Sequence, residues 1–216
     1  MDDAESMLDH WNQLKALYKD LVYMIKKKKL DPNGSRLRFI SSDYTIEKMN
    51  TTQMVEKVTF QKPKIRGMTD FAKRIENVLL NYLNKLEKDN STRPITIYVL
   101  TNGVWETSWA SKSDKDHPLE RSATAVANAV QRLDKLHAPD TQVGIQFIRF
   151  GNDRNGKRRL AYLDAKLKKD RHLTRDICDC EPADGNVWKM MLGSIDPAWD
   201  DDPDDDNDND TEDDTT

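Results

Sequence analysis

The chain has 216 residues, two cysteines and a formal net charge of −4 at neutral pH. Its length admits one large domain or two small ones, and no apolar run is long enough to span a bilayer. No charged-apolar-small leader opens it, and Cys178 and Cys180, one residue apart, offer no disulfide framework, so a reducing, cytoplasmic setting is expected.

The charge is unevenly placed. Asp200–Thr216 holds eleven of the acidic residues and no Lys or Arg, which leaves +7 on residues 1–199. With no apolar residue after Trp199, residues 197–216 are expected to form a disordered acidic tail. Folding back on the basic body, binding basic partners and keeping the protein in solution all stay open for it, the last being the simplest.

In chain order, Asp2, Asp3 and Glu5 precede a helical pattern. Leu8, Trp11, Leu14, Leu17, Leu21, Met24 and Ile25 give it one apolar face. The acidic start and the Lys26–Lys29 end suit the helix dipole. Asp31–Gly34 is a turn, Arg36–Ser41 reads as a strand, Tyr44–Lys48 as a short second one, and Thr51–Val58 as a short helix. Gly67-Met68-Thr69-Asp70 opens a helix whose buried face carries Phe71, Ile75, Val78, Leu79, Tyr82, Leu83 and Leu86.

Arg93–Trp105, RPITIYVLTNGVW, is the centre of the chain. The continuous β-branched and apolar run from Ile95 to Leu100 reads as a strand of a parallel sheet buried on both faces. Pro94 marks its start and Asn102-Gly103 its end. Trp105–Pro118 reads as a surface loop. Leu119–Leu136 follows as a helix with Ala123, Val126, Ala127, Val130 and Leu133 inward. Gln142–Phe150 is a further buried strand, and Leu160, Leu163 and Leu167 mark the helix after it. Asp176–Cys178 is a last short strand, and Asn186–Ile195 a closing helix with Trp188, Met191 and Leu192. Strands alternating with helices predict an α/β layered fold with a mostly parallel sheet.

In such folds ligands sit past the carboxyl ends of the strands. Asp2-x-Ala4-x-Ser6, Gly67-Met68-Thr69 and Thr101-Asn102-Gly103 can converge there. Their oxygens are hard donors of the kind that suits Mg²⁺ or Mn²⁺. The competing reading makes Asp2 and Ser6 helix caps and Thr69 a helix-start residue.

This arrangement resembles the von Willebrand factor A (vWA) domain family and its metal-ion-dependent adhesion site. The segments RPITIYVLTNGVW, QVGIQFIRFGND and RDICDCEPADGNVWKMMLGSI and the opening SMLDHW are most similar to those of fungal proteins with such a domain. The resemblance covers roughly residues 2–196. It implies a doubly wound, Rossmann-like, mostly parallel sheet with helices on both faces. It also implies a metal site at Asp2, Ser6, Thr69 and Asn102 that takes a partner's carboxylate as its last ligand. The site is degenerate: Ala4 stands where a ligating Ser belongs and Asn102 where Asp is common. The strand that precedes the metal loop in the family is missing before Asp2. A fragment or truncated gene product is the expectation drawn from that, with a sheet that closes up differently as the alternative.

Other signals compete. Gly151–Lys157 matches the spacing of a phosphate loop between a strand and a helix, but Arg158 replaces the Mg²⁺-binding Ser or Thr and Asp153 adds negative charge. Arg149, Arg154, Lys157, Arg158 and Arg159 form a basic cluster. Solvated helix ends account for it more simply than a nucleic-acid or lipid surface, because no aromatic set is interleaved. Cys178-x-Cys180 with His172 lacks the second pair of a zinc site. The four histidines show no triad. Trp105 and Trp109, past the central strand, are either contact anchors for a partner or packing over the sheet rim.

The sequence is therefore read as an intracellular, non-enzymatic protein-binding module, with Mg²⁺ or Mn²⁺ as the implied cofactor and an empty site as the other possibility. The alternatives are a nucleotide-dependent enzyme using Gly151–Lys157 and a non-functional truncated product.

Overall fold

The computed structural model describes residues 1–30, 35–41, 45–46, 55, 70–105 and 117–194. A 3₁₀ turn (Glu5–His10) leads into helix α1 (Trp11–Lys27). Strands β1 (Leu37–Arg38) and β2 (Thr45–Ile46), helix α2 (Phe71–Lys88), strand β3 (Ile95–Thr101), helix α3 (His117–Lys135) and strand β4 (Val143–Arg149) follow. Helix α4 (Arg154–Ala161) continues through a π turn (Tyr162–Lys166) into a short α5 (Leu167–Asp170). Strand β5 (Cys178–Pro182) and helix α6 (Val187–Leu192) complete the described chain.

β3, β4 and β5 form a parallel sheet in that order. Ile95 lies opposite Val143, Thr101 opposite Arg149, and Ile145 opposite Cys178. Parallel neighbours need a crossover; α3 supplies the first and α4–α5 the second. Inward residues of α2, α3 and α4 pack on one sheet face, where Ile75, Leu79, Val126, Val130 and Leu160 meet Val99, Ile145 and Phe147. α1 and α6 cover the other, where Leu14, Leu21, Met190 and Met191 meet Leu100 and Ile148. The architecture is thus α/β, a three-stranded parallel sheet flanked by helices and compatible with a Rossmann-like fold. No helix among the described residues is long and apolar enough to cross a membrane.

The predicted faces of α2 and α3 are buried, Val78 excepted. The opening helix departs from expectation. Glu5–His10 winds as a 3₁₀ turn, whose tighter pitch turns Met7 inward and leaves Leu8 42% exposed. The last strand runs past Cys178 to Pro182, because it adds in parallel to β4 and takes its length from that neighbour. The expected Thr51–Val58 helix, apart from the helical Val55, lies outside the described residues, as do Thr69, Trp109 and the acidic tail.

Residues 1 and 2 are hydrogen-bonded on both sides. The Met1 ammonium donates to the Arg38 carbonyl (3.0 Å) and the Met1 carbonyl accepts from the Ile40 N–H (3.0 Å), so Met1 lies opposite Phe39. On the other side, the Asp2 N–H donates to the Leu100 carbonyl (2.8 Å). Bonding to two residues that flank one opposite residue is the parallel pattern. Met1-Asp2 is thereby tied on one side to Leu37–Ile40 and on the other to the end of β3.

Candidate functional site at the carboxyl end of β3

β3 ends in a turn that Thr101, Asn102 and Gly103 build from their own side chains. Gly103 has φ +73°, a conformation that suits glycine. The Asn102 Oδ1 accepts from the Val104 N–H (3.0 Å), closing an Asx turn. Thr101 is the hub. Its hydroxyl donates to Asp2 Oδ2 (2.6 Å) and accepts from the Gly103 N–H (3.0 Å) and the Trp105 indole N–H (3.1 Å). Asp2 Oδ1 accepts from the Ala4 N–H (3.1 Å). Asn102 Nδ2 donates to the Ser6 carbonyl (2.9 Å), and the Ser6 hydroxyl donates weakly to Asn102 Oδ1 (3.5 Å).

Asp2, Ser6 and Asn102 are thus brought together on one rim, although Asn102 lies far along the chain from the other two. Thr69 falls outside the described residues. Trp105 is corrected: it is 2% exposed, stacked on Phe71 with ring centroids 4.2 Å apart, and packs under the rim instead of offering itself to a partner. Its indole N–H found a buried acceptor in Thr101, which let the whole ring go inward.

Charge at the rim is desolvated. Burial pushes the Asp2 carboxyl up to about 6, against the lowering effect of the Thr101 and Ala4 bonds and of the nearby ammonium. Burial pushes the Met1 ammonium down to about 6, partly offset by Asp2 and Asp3. Asp3 is also fully buried; its Oδ1 accepts from the Ser41 N–H (2.7 Å), and its Oδ2 has no hydrogen-bond partner among the described residues.

The described part of this donor set fits Mg²⁺ or Mn²⁺ poorly. Both Asp2 oxygens already accept hydrogen bonds from protein, Asn102 spends both ends of its amide on Val104 and Ser6, and Ala4 has no donor atom. These residues close on one another as a hydrogen-bonded rim. Among the described residues no group of three or more His, Cys, Asp or Glu side chains is placed to share an ion.

The Gly151–Lys157 loop abuts the same rim. Asp153 caps α4: its Oδ1 accepts from the Gly156 N–H (2.8 Å) and its carbonyl from the Lys157 N–H (2.8 Å). In a phosphate loop such N–H groups face the phosphate; here Asp153 takes them. Gly156 lies against the Asn102 carbonyl, where a Cβ would come within 2.0 Å of the oxygen. Gly151 (φ +69°) carries the His10 ring over it.

One residue of this site escaped the sequence reading, and the part played by another was not visible in it. Thr101 stood there as one oxygen donor of the Thr101-Asn102-Gly103 triplet, not as the hydrogen-bonding hub. Arg159 looked like one of a solvated cluster, but it is buried and donates to the Gly103 (3.2 Å) and Trp105 (3.1 Å) carbonyls. The only available signal was its place beside Gly156 and Leu160 on the inward face of α4. On β5, burial pushes the thiols of Cys178 and Cys180 up from their ordinary value.

No family model matches the chain, and no curated protein or solved structure matches it.

Proposed function

We propose that this chain is a vWA-like protein–protein interaction module that meets its partner at the rim beyond β3, without a bound metal. The observation that carries this reading is the convergence of Asp2, Ser6 and Asn102 at the carboxyl end of the edge strand of a parallel sheet, the usual ligand side of such sheets. Around that buried network Glu5, Ser6, Asn152, Asp153 and Arg154 are exposed, giving a polar contact face of both charges. The metal-free form follows from the hydrogen bonds that occupy the oxygens of Asp2 and Asn102.

The test places a photo-crosslinking amino acid at Ser6, and separately at Asn90, exposed in the turn before β3 at the opposite sheet end. A protein captured in cells from Ser6 and not from Asn90 supports the rim. Equal capture from both, or none from Ser6, refutes it. Calorimetric titration with Mn²⁺ of the full chain and of Asp2→Ala checks the metal-free form: binding that disappears in Asp2→Ala would replace it with the metal-dependent one.

A further inference from the structure

The carboxyl end of α1 carries Lys26, Lys27, Lys28 and Lys29 in succession, and all four are exposed. Among the described residues no carboxylate lies within ion-pair distance of any of them. Lysines suit the negative end of a helix, but four in a row with none paired leave a dense positive surface.

Large apolar side chains are exposed beside them. Tyr23 is 58% exposed, Leu30 53%, and Trp188, in the first turn of α6, 40%. The Lys27 ammonium stands 6.0 Å from the centre of the Tyr23 ring, and the Lys28 ammonium 5.1 Å from that of Trp188. Both are at cation–π distance. Cations and aromatic faces thus share one surface that runs from the end of α1 onto α6. A ligand that uses all of it carries an aromatic group next to several negative charges.

The chain holds such a segment. Trp199 directly precedes residues 200–206, where six of seven side chains are carboxylates. The segment also departs from close by. Ser194, the last described residue, lies six residues past Trp188, roughly 9 Å at helical rise. Its N–H donates to Gln146 Oε1 on β4 (3.1 Å), which fixes the point of departure. The next five residues span up to about 17 Å, enough to bring Trp199 back to Trp188. So short a tether gives an effective concentration roughly in the millimolar range. Any separate anionic ligand has to compete with that.

We infer that the acidic tail docks on this surface of its own chain, Trp199 against Trp188 and residues 200–206 against the four lysines, and so shields the surface from other anionic ligands. The surface lies at the opposite end of α1 from the rim, roughly 25 Å along the helix, and is independent of it.

The test is zero-length carbodiimide coupling of carboxylates to amines in the full chain, with the products mapped by mass spectrometry. Lys168 and Lys169, exposed on α5 over the opposite face of the sheet, are the control. Products joining the tail to Lys26–Lys29 should exceed those joining it to the control pair severalfold. The excess should vanish in about 0.5 M NaCl, where charges are screened beyond roughly 4 Å, and should fall by at least about half in Trp199→Ala, which loses one of the two contacts. A fluorescent oligoglutamate peptide should bind about fivefold more weakly to the full chain than to a chain in which the six Asp of residues 200–206 are changed to Asn. That factor corresponds to an effective concentration about four times the Kd of the untethered tail. Equal yields at both sets of lysines, or none at Lys26–Lys29, would overturn the docking. In a mixture of light and heavy-isotope chains, products found only between light and heavy would overturn docking within one chain and make a second copy the occupant. Yields unchanged in Trp199→Ala would overturn the aromatic contact, and equal oligoglutamate binding would overturn the shielding.

Discussion

Thr101→Val keeps the shape of the side chain and removes one oxygen. That oxygen donates to Asp2 and accepts from Gly103 and Trp105, all in a buried setting. Each buried polar group left unpaired costs about 1–3 kcal/mol, so with partial relaxation three of them cost about 3–6 kcal/mol. That is a large share of the roughly 5–15 kcal/mol typical of a folded domain. The loss should depend on pH. The Asp2 carboxyl sits at about 6 in the fold against 3.8 for the free group. A carboxyl raised on folding contributes stability that is present below the unfolded value and is lost as pH rises through the folded one. Roughly two pH units correspond to about 3 kcal/mol lost between about pH 4 and pH 7. The Thr101 bond holds the carboxyl down, so its removal raises the folded value further and the variant loses more over that interval. Urea unfolding followed by tryptophan fluorescence, near pH 4 and near pH 7, should show a wild-type-to-variant gap that widens with pH. Thr101→Ser, which keeps the hydroxyl, should lose only about 1 kcal/mol for its methyl group. A Thr101→Val variant within about 1 kcal/mol of wild type, or a gap that does not grow with pH, would refute the hub.

Gly156→Ala drives a methyl into the Asn102 carbonyl and should cost about 3 kcal/mol or more in chemical unfolding, since backbone cannot step aside. Gly151→Ala meets the movable His10 ring, so in a His10→Ala background it should cost only the roughly 1–2 kcal/mol of its left-handed backbone. Acetylating the Met1 amine removes a group whose folded value is lowered from 8.0 to about 6. This group should contribute a gain of up to about 3 kcal/mol between about pH 6 and pH 8, and the acetylated chain, whose Asp2 carboxyl has lost the ammonium that lowers it, should show no gain there, as urea midpoints will read. Trp105→Ala should lower stability by about 3–5 kcal/mol if the ring is core, against at most about 0.5 kcal/mol for an exposed contact residue.

Most of the framework was legible because it is local. Period 3.6 placed Ile75, Leu79, Leu83 and Leu86 on one face of α2, and the unbroken apolar run placed β3 in a parallel sheet, although it lies at the edge of that sheet and is half-buried from Ile95 to Tyr98 instead of buried throughout. The site was legible only as an address. That Asp2, Ser6 and Asn102 would meet came from the expected strand-end geometry. How they meet depends on hydrogen bonds between residues nearly a hundred positions apart, which no local pattern encodes. Trp105 shows the limit: the residues that follow it, Glu106, Thr107 and Ser108, are polar, and what buries it is Phe71 from α2 together with the Thr101 acceptor. Arg159 is the same case with the sign reversed, a charge that composition assigns to solvent and that two carbonyls of the turn hold inside.

The rim is held in place by the first two residues. Asp2 reaches Thr101 because its own N–H is fixed to Leu100, while Met1 is fixed to Arg38 and Ile40. Two residues make a short ladder, and side chains alternate between sheet faces along it. A slip of one position would therefore carry the Asp2 carboxylate to the opposite face and leave the Thr101 hydroxyl without its acceptor. Three backbone hydrogen bonds and the inward packing of Met1 and Met7 now hold that register.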